Sequence, residues 1–137
     1  MQPTTKDLNF IQTLNDRLIR KDSVLDLSYD RMGDAGIVFL CRNKDLSHVQ
    51  KLDLSWNEIT DHGLAVLVGT GALPELKHLV LNANQIGEEG AKSLALSKNL
   101  PKLETLEMVN NEVADFGALS LVKSKSLLSL RFIDLEM

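Results

Sequence analysis

Two carboxylates stand 27 residues apart in near-identical surroundings: Leu25-Asp26-Leu27-Ser28-Tyr29 and Leu52-Asp53-Leu54-Ser55-Trp56. On neighbouring strands of one sheet, ~4.8 Å apart, Asp26 and Asp53 would match the carboxylate spacing of a retaining glycosidase pair. That chemistry also needs a pocket to raise one pKa, and side chains on an open sheet face are solvated. Catalysis by this pair is therefore not expected, and a bridging cation would lack further ligands. The three histidines, His48, His62 and His78, have no metal-ligand spacing, and Cys41 is the sole cysteine. Neither a metal site nor an intrachain disulfide is expected, and no cofactor is implied. The chain carries no nucleophile elbow, phosphate loop or dinucleotide fingerprint. What remains is recognition. Tyr29 and Trp56 are the sole tyrosine and sole tryptophan, and they occupy the same position of two similar segments. Aromatic residues of this kind dominate binding hot spots; the alternative is that they pack over a turn and shield it.

These residues sit in a repeat of 27. Val49, Leu52, Leu54, Asn57 and Ile59 return as Leu76, Leu79, Leu81, Asn84 and Ile86, then as Leu103, Leu106, Met108, Asn111 and Val113. Leu130, Ile133 and Leu135 begin another copy, and Leu25, Leu27 and Met32 hold the same phase upstream, with Asp30 in place of the asparagine. Gly36, Gly63, Gly90 and Gly117 keep the period, as do Leu40, Leu67, Leu94 and Leu121. The 137 residues thus divide into a 21-residue lead, units at 22–48, 49–75, 76–102 and 103–129, and an 8-residue remainder at 130–137. The pattern L-x-x-L-x-L-x-x-N-x-I followed by G-x-x-x-L resembles the leucine-rich repeat, and its unit length resembles the ribonuclease-inhibitor-like subclass. That resemblance implies an α/β solenoid with a curved parallel sheet inside and helices outside. It also implies a protein-binding role and an asparagine ladder along the turns.

The residues account for that shape. Leu52-Asp53-Leu54 alternates apolar and polar, the period of a strand with one buried face. Ile59, Leu64, Leu67 and Val68 then fall at helical spacing. Asp61, Glu88 and Asp115 enter the helices, where the N-terminal dipole favours acid. Glycine early in a helix costs ~1 kcal/mol, so its recurrence predicts close approach to the next unit. Leu73-Pro74 and Leu100-Pro101 are expected to end the helices. A strand plus one helix cannot bury its apolar face alone, so stacked units must do it for each other. Leu8, Ile11, Leu14, Leu18 and Ile19 predict a helix over residues 6–20 that caps the first strand. Asp30 accepts but cannot donate when ionised, which predicts a looser, solvent-assisted first turn. Cys41 shares the phase of Val68 and Ala95 and should face the core.

Alternation places three rows of side chains on the concave face. The central row is Asp26, Asp53, Val80, Glu107 and Asp134. The row before it is Val24, Lys51, His78, Thr105 and Phe132. The row after it is Ser28, Ser55, Asn82, Val109 and Glu136, with Tyr29, Trp56, Ala83 and Asn110 on the lip. An acidic stripe beside paired aromatics suits a protein partner with a basic surface. The expected partner-binding residues are Asp26, Tyr29, Lys51, Asp53, Trp56, His78, Glu107, Phe132 and Asp134.

Composition narrows the rest. The net charge of −4 and pI near 5.3 argue against a nucleic-acid partner. Hydrophobic residues make up 44% and charged residues 25%, the balance of a globular chain. The N-terminal residues lack a basic and apolar leader, and no run nears the ~18 apolar residues of a membrane span. A cytoplasmic protein without membrane contact is expected, and export by a machine reading other signals is compatible. A regulatory scaffold and an infection-related effector fit equally. Two alternatives are a GTPase-activating regulator using Arg31 on its turn, as the family resemblance allows, and a structural piece of a longer array. The remainder at 130–137 is a strand without its helix. It predicts continuation into further units, a homodimer through its edge, or a frayed end.

Overall fold

The computed structural model describes residues 4–19 and 23–136. Residues 1–3, 20–22 and 137, which belong to the predicted lead, first unit and remainder, lie outside the described residues, as do the side chains of Lys6, Asp7 and Ile19. Five short strands form one parallel sheet in chain order: β1 (Val24–Asp26), β2 (Lys51–Asp53), β3 (His78–Val80), β4 (Thr105–Glu107) and β5 (Phe132–Asp134). The register is the sequence period itself, with Leu25 beside Leu52, Leu52 beside Leu79, Leu79 beside Leu106, and Leu106 beside Ile133. The helices are α1 (Thr5–Ile19), α2 (Gly33–Asn43), α3 (Asp61–Gly69), α4 (Glu88–Leu96) and α5 (Asp115–Val122). Helices α2 to α5 stack on one another along one side of the sheet.

The core lies between sheet and helices. Leu52 and Leu54, Leu79 and Leu81, and Leu106 and Met108 are buried from the strands, while Leu64, Leu67, Ala91 and Leu94 meet them from the helices. Leu14 of α1 is fully buried and closes the β1 end, and Phe10 packs edge-on against Phe39 of α2 at 6.3 Å. The apolar face expected of α1 is narrower than its spacing suggests, because Leu8 is half exposed, beyond the reach of the sheet.

The turns after the strands are bound by the expected asparagine ladder. Asn57 accepts at Oδ1 from the Asp30 and Met32 N–H groups and donates from Nδ2 to the carbonyls of Leu27, Leu54 and Ser55. Asn84 repeats this pattern toward Asn57 and Ile59. Asn111 accepts from Ile86 N–H and donates to Leu81 and Met108. Each amide thus satisfies backbone groups that would otherwise be buried unpaired.

Three local expectations are corrected. The first turn is not loose. Arg17 of α1 donates to the Asp26 carbonyl and, at 2.8 Å, to the Asp30 carboxylate, supplying the donor that an aspartate lacks. Gly63, Gly90 and Gly117 make room for the preceding unit, not the next, whereas a Cβ on Gly36 would meet Met32 of its own unit. A Cβ on Gly63 would sit 2.2 Å from Asp34 Oδ1, and one on Gly90 would sit 2.6 Å from Asp61 Oδ1. Asp34 needs that space because it accepts from the Thr60 N–H at 2.9 Å and from the Thr60 hydroxyl; Asp61 accepts from Gly87 N–H at 2.6 Å. The helices also end earlier than expected, at Gly69 and Leu96, so Leu73-Pro74 and Leu100-Pro101 lie in the return turns. The serine hydroxyls of Ser97 and Ser124 bind these ends to the Val68 and Ala95 carbonyls one unit back.

Candidate functional site

The concave face is built by backbone that leaves little freedom. After each strand the parallel ladder continues into the lip, where Tyr29 N–H donates to Ser55 carbonyl and Trp56 N–H to Asn82 carbonyl, at 2.9 and 3.0 Å. Both residues sit in the left-handed region, Tyr29 at φ 61° and Trp56 at φ 59°, as do Ala83 and Asn110 at the same position of later units. A side chain in that region carries a steric cost, so the ladder on either side must hold it there. The two rings stack, with centroids 5.6 Å apart and planes inclined by 11°.

The pair is exposed on the lip. Tyr29 is 70% exposed and Trp56 52%. Asn84 stays buried beside Ala83, which has no ring, so burial of the ladder does not depend on an aromatic lid. The rings form one end of a shallow depression of about 540 Å³, completed by Arg31, Glu58, Gln85 and Asn110. Sequence reasoning placed Asn110 on the lip but did not single out Glu58 or Gln85 as lining residues. Their positions next to the periodic asparagine were the available signal. Arg31 is exposed on this lip, also left-handed at φ 49°.

Among the carboxylates, Asp26 and Asp53 are register partners. Each closes its own turn: Asp26 Oδ1 accepts from the N–H and hydroxyl of Ser28, and Asp53 Oδ1 accepts from Ser55 N–H. Asp134 does the same with Glu136 N–H. The Ser28 bonds hold the Asp26 carboxyl below its ordinary value, helped by Arg17 and Lys51. Asp26 is therefore not the raised acid of a hydrolytic pair. Asp30, outside the row, is pushed up by burial against the opposing pull of Arg17. Glu107 accepts from the Asn82 amide at 3.3 Å. The nearly buried Val80 divides the acidic row into two pairs.

Lys51 is exposed beside the first pair. His78 lies in the same row, half-buried, its Nδ1 2.8 Å from the Thr105 hydroxyl. Phe132 is 54% exposed on β5. Four strand spacings of ~4.8 Å separate it from the β1 end of the sheet, so it does not join the Tyr29–Trp56 cluster. Cys41 faces inward and is half-buried, and burial pushes its thiol up, which keeps it protonated and unreactive. Among the described residues, no group of three or more His, Cys, Asp or Glu is placed to hold a metal ion. No described helix is long and apolar enough to cross a membrane.

Comparison with known proteins fits this geometry. The family model described as "Leucine Rich repeat" matches residues 45–68 and 73–95, which span β2 to α4. The chain has the leucine-rich repeat solenoid fold. A solved structure, "Leiomodin-1 Actin-Binding Site 2 (ABS2)", matches with a TM-score of 0.65 at 14% identity, covering 99% of this chain and 82% of that one. No curated protein matches the chain. At that identity the likeness concerns the solenoid fold. In the solenoid, the matched asparagines and leucines are structural, and the concave and lip side chains vary from unit to unit on a common frame.

Proposed function

We propose that this solenoid is a protein-interaction module, not an enzyme, and that it binds a macromolecular partner through its concave face and lip. The observation that carries the reading is the exposed Tyr29–Trp56 stack, fixed on a hydrogen-bonded turn beside carboxylates. Large rings presented on rigid backbone lose little entropy on binding, the property of hot-spot anchors. In this reading Asp26, Asp53, Glu107 and Asp134 attract a basic partner surface, and Lys51 and His78 set its register. Phe132 serves a separate contact at the far end. The 27-residue unit with an α-helix of 8 to 11 residues supports placing the repeats in the ribonuclease-inhibitor-like subclass. A cytoplasmic setting accords with the unpaired, inward-facing Cys41.

The test is affinity capture with immobilised wild type, Trp56→Ala and Asp53→Lys, each confirmed folded by circular dichroism. Purified actin is run alongside, because the structural neighbour is named for an actin-binding site. A partner held by wild type should be lost at least about tenfold by Trp56→Ala and also weakened by Asp53→Lys. Equal retention by all three would move the site off this face.

A further inference from the structure

The outer surface carries a second feature, independent of the concave face. A groove of about 740 Å³ runs between α4 and α5. Ala95 lies in its floor, and its walls are Leu96, Phe116 and Leu119, which are 75%, 70% and 47% exposed. Stacking does not call for these apolar side chains. Phe116 and Leu119 share the repeat positions of Glu89 and Lys92 in the preceding unit, and both of those are exposed and polar. One unit further back Phe116 corresponds to His62, which is also exposed. These positions face outward in internal units too, so their exposure does not come from the lack of a following helix. Val122 differs, because its counterparts Val68 and Ala95 are buried. Helix α5 is therefore apolar on its outward as well as its inward side, unlike a simple amphipathic surface helix.

The rim is charged in the opposite sense to the chain as a whole. Lys123 and Lys125 are exposed at the end of α5, and Lys92, bonded to Glu89 at 3.0 Å, stands across from them. Glu89 pairs with Lys92, and Glu88 lies at the opposite end of the groove, so Lys123 and Lys125 carry the rim's excess charge. A trough between two helices running the same way, with an apolar floor and a basic rim, has the shape and charge to receive a third helix. We propose that the α4–α5 groove docks an amphipathic helical segment of a protein partner whose apolar stripe is flanked by acidic residues.

The probe is a fluorescein-labelled 18-residue helix with leucines at i, i+3, i+4 and i+7 and glutamates on its flanks, followed by anisotropy. The control peptide carries lysines in place of the glutamates. The double variant Phe116→Glu/Leu119→Lys places on α5 the side chains that α4 already carries at the same positions, so the solenoid should fold. Lys123→Glu/Lys125→Glu provides a second variant that leaves the apolar walls intact. Saturable binding of the acidic helix is expected, weakened at least tenfold by either variant and by raised salt, and unchanged by Trp56→Ala. The lysine helix should bind at least tenfold more weakly. No saturable binding, equal binding of the two peptides, or indifference to both variants would overturn the proposal. So would self-association in sedimentation equilibrium that Phe116→Glu/Leu119→Lys abolishes, because the face would then belong to a second copy.

Discussion

At the scale of single residues, the first turn shows how the solenoid replaces a missing asparagine. Asp30 sits where later units have a ladder amide, and Arg17 reaches from α1 to supply the absent donor. Two nearby carboxylates consequently differ in acidity. Hydrogen bonds from Ser28 lower Asp26, and burial raises Asp30. The signs follow by linkage. Ionised Asp26 stabilises the fold above the ordinary carboxylate range, and that contribution is lost as pH falls through its lowered folded value. Asp30 acts oppositely: its protonation, as pH falls through its raised value, favours the fold. Carboxyl carbon NMR should find Asp30 titrating at higher pH than Asp26, and Arg17→Ala should move both upward. The reverse order would contradict the arrangement. The aspartate substitution was legible in the sequence, but its remedy was not. Arg17 lies in the lead, outside the 27-residue period, so no phase relation marked it.

At the scale of elements, neighbouring units are coupled by acid and glycine together. Asp34 of one unit holds Thr60 of the next, in space left by Gly63. Gly63→Ala should destabilise by about 1–3 kcal/mol in denaturant unfolding, because its Cβ displaces that carboxylate. In an Asp34→Ala background the same change should cost much less, with the contact to Ile59 at 3.0 Å remaining. Additive effects would show that the acid and the glycine act separately. The period identified these glycines and the strands beside them, and the strand register of Lys51 with His78 or Leu79 with Leu106 follows from it directly. The direction of the close approach does not follow, because one sequence phase is compatible with packing on either neighbour. The helix ends at Gly69 and Leu96 were likewise set by inter-unit bonds from serines, and not by the prolines a few residues on.

At the scale of the whole molecule, the solenoid separates a repeated frame from a variable surface. Leucines and asparagines, repeated with little change, fill the interior; the exposed rows carry the differences between units. The pairing of Tyr29 with Trp56 was readable because consecutive units must place equal positions side by side. The exposure of the rings was not, since the period fixes where a side chain stands but not how much of it its neighbours cover. The outer groove escaped notice for a similar reason: an apolar residue at helical spacing looks like core until the stack fixes which side faces out. The central claim is that the lip aromatics enter a partner's interface, and Trp56 reports on this without mutation, because it is the sole tryptophan. Titrating the protein with its captured partner should shift Trp56 emission to the blue as the half-exposed ring loses water, saturating at the same concentration as binding measured by sedimentation. Saturating binding that leaves Trp56 emission unchanged would contradict the account.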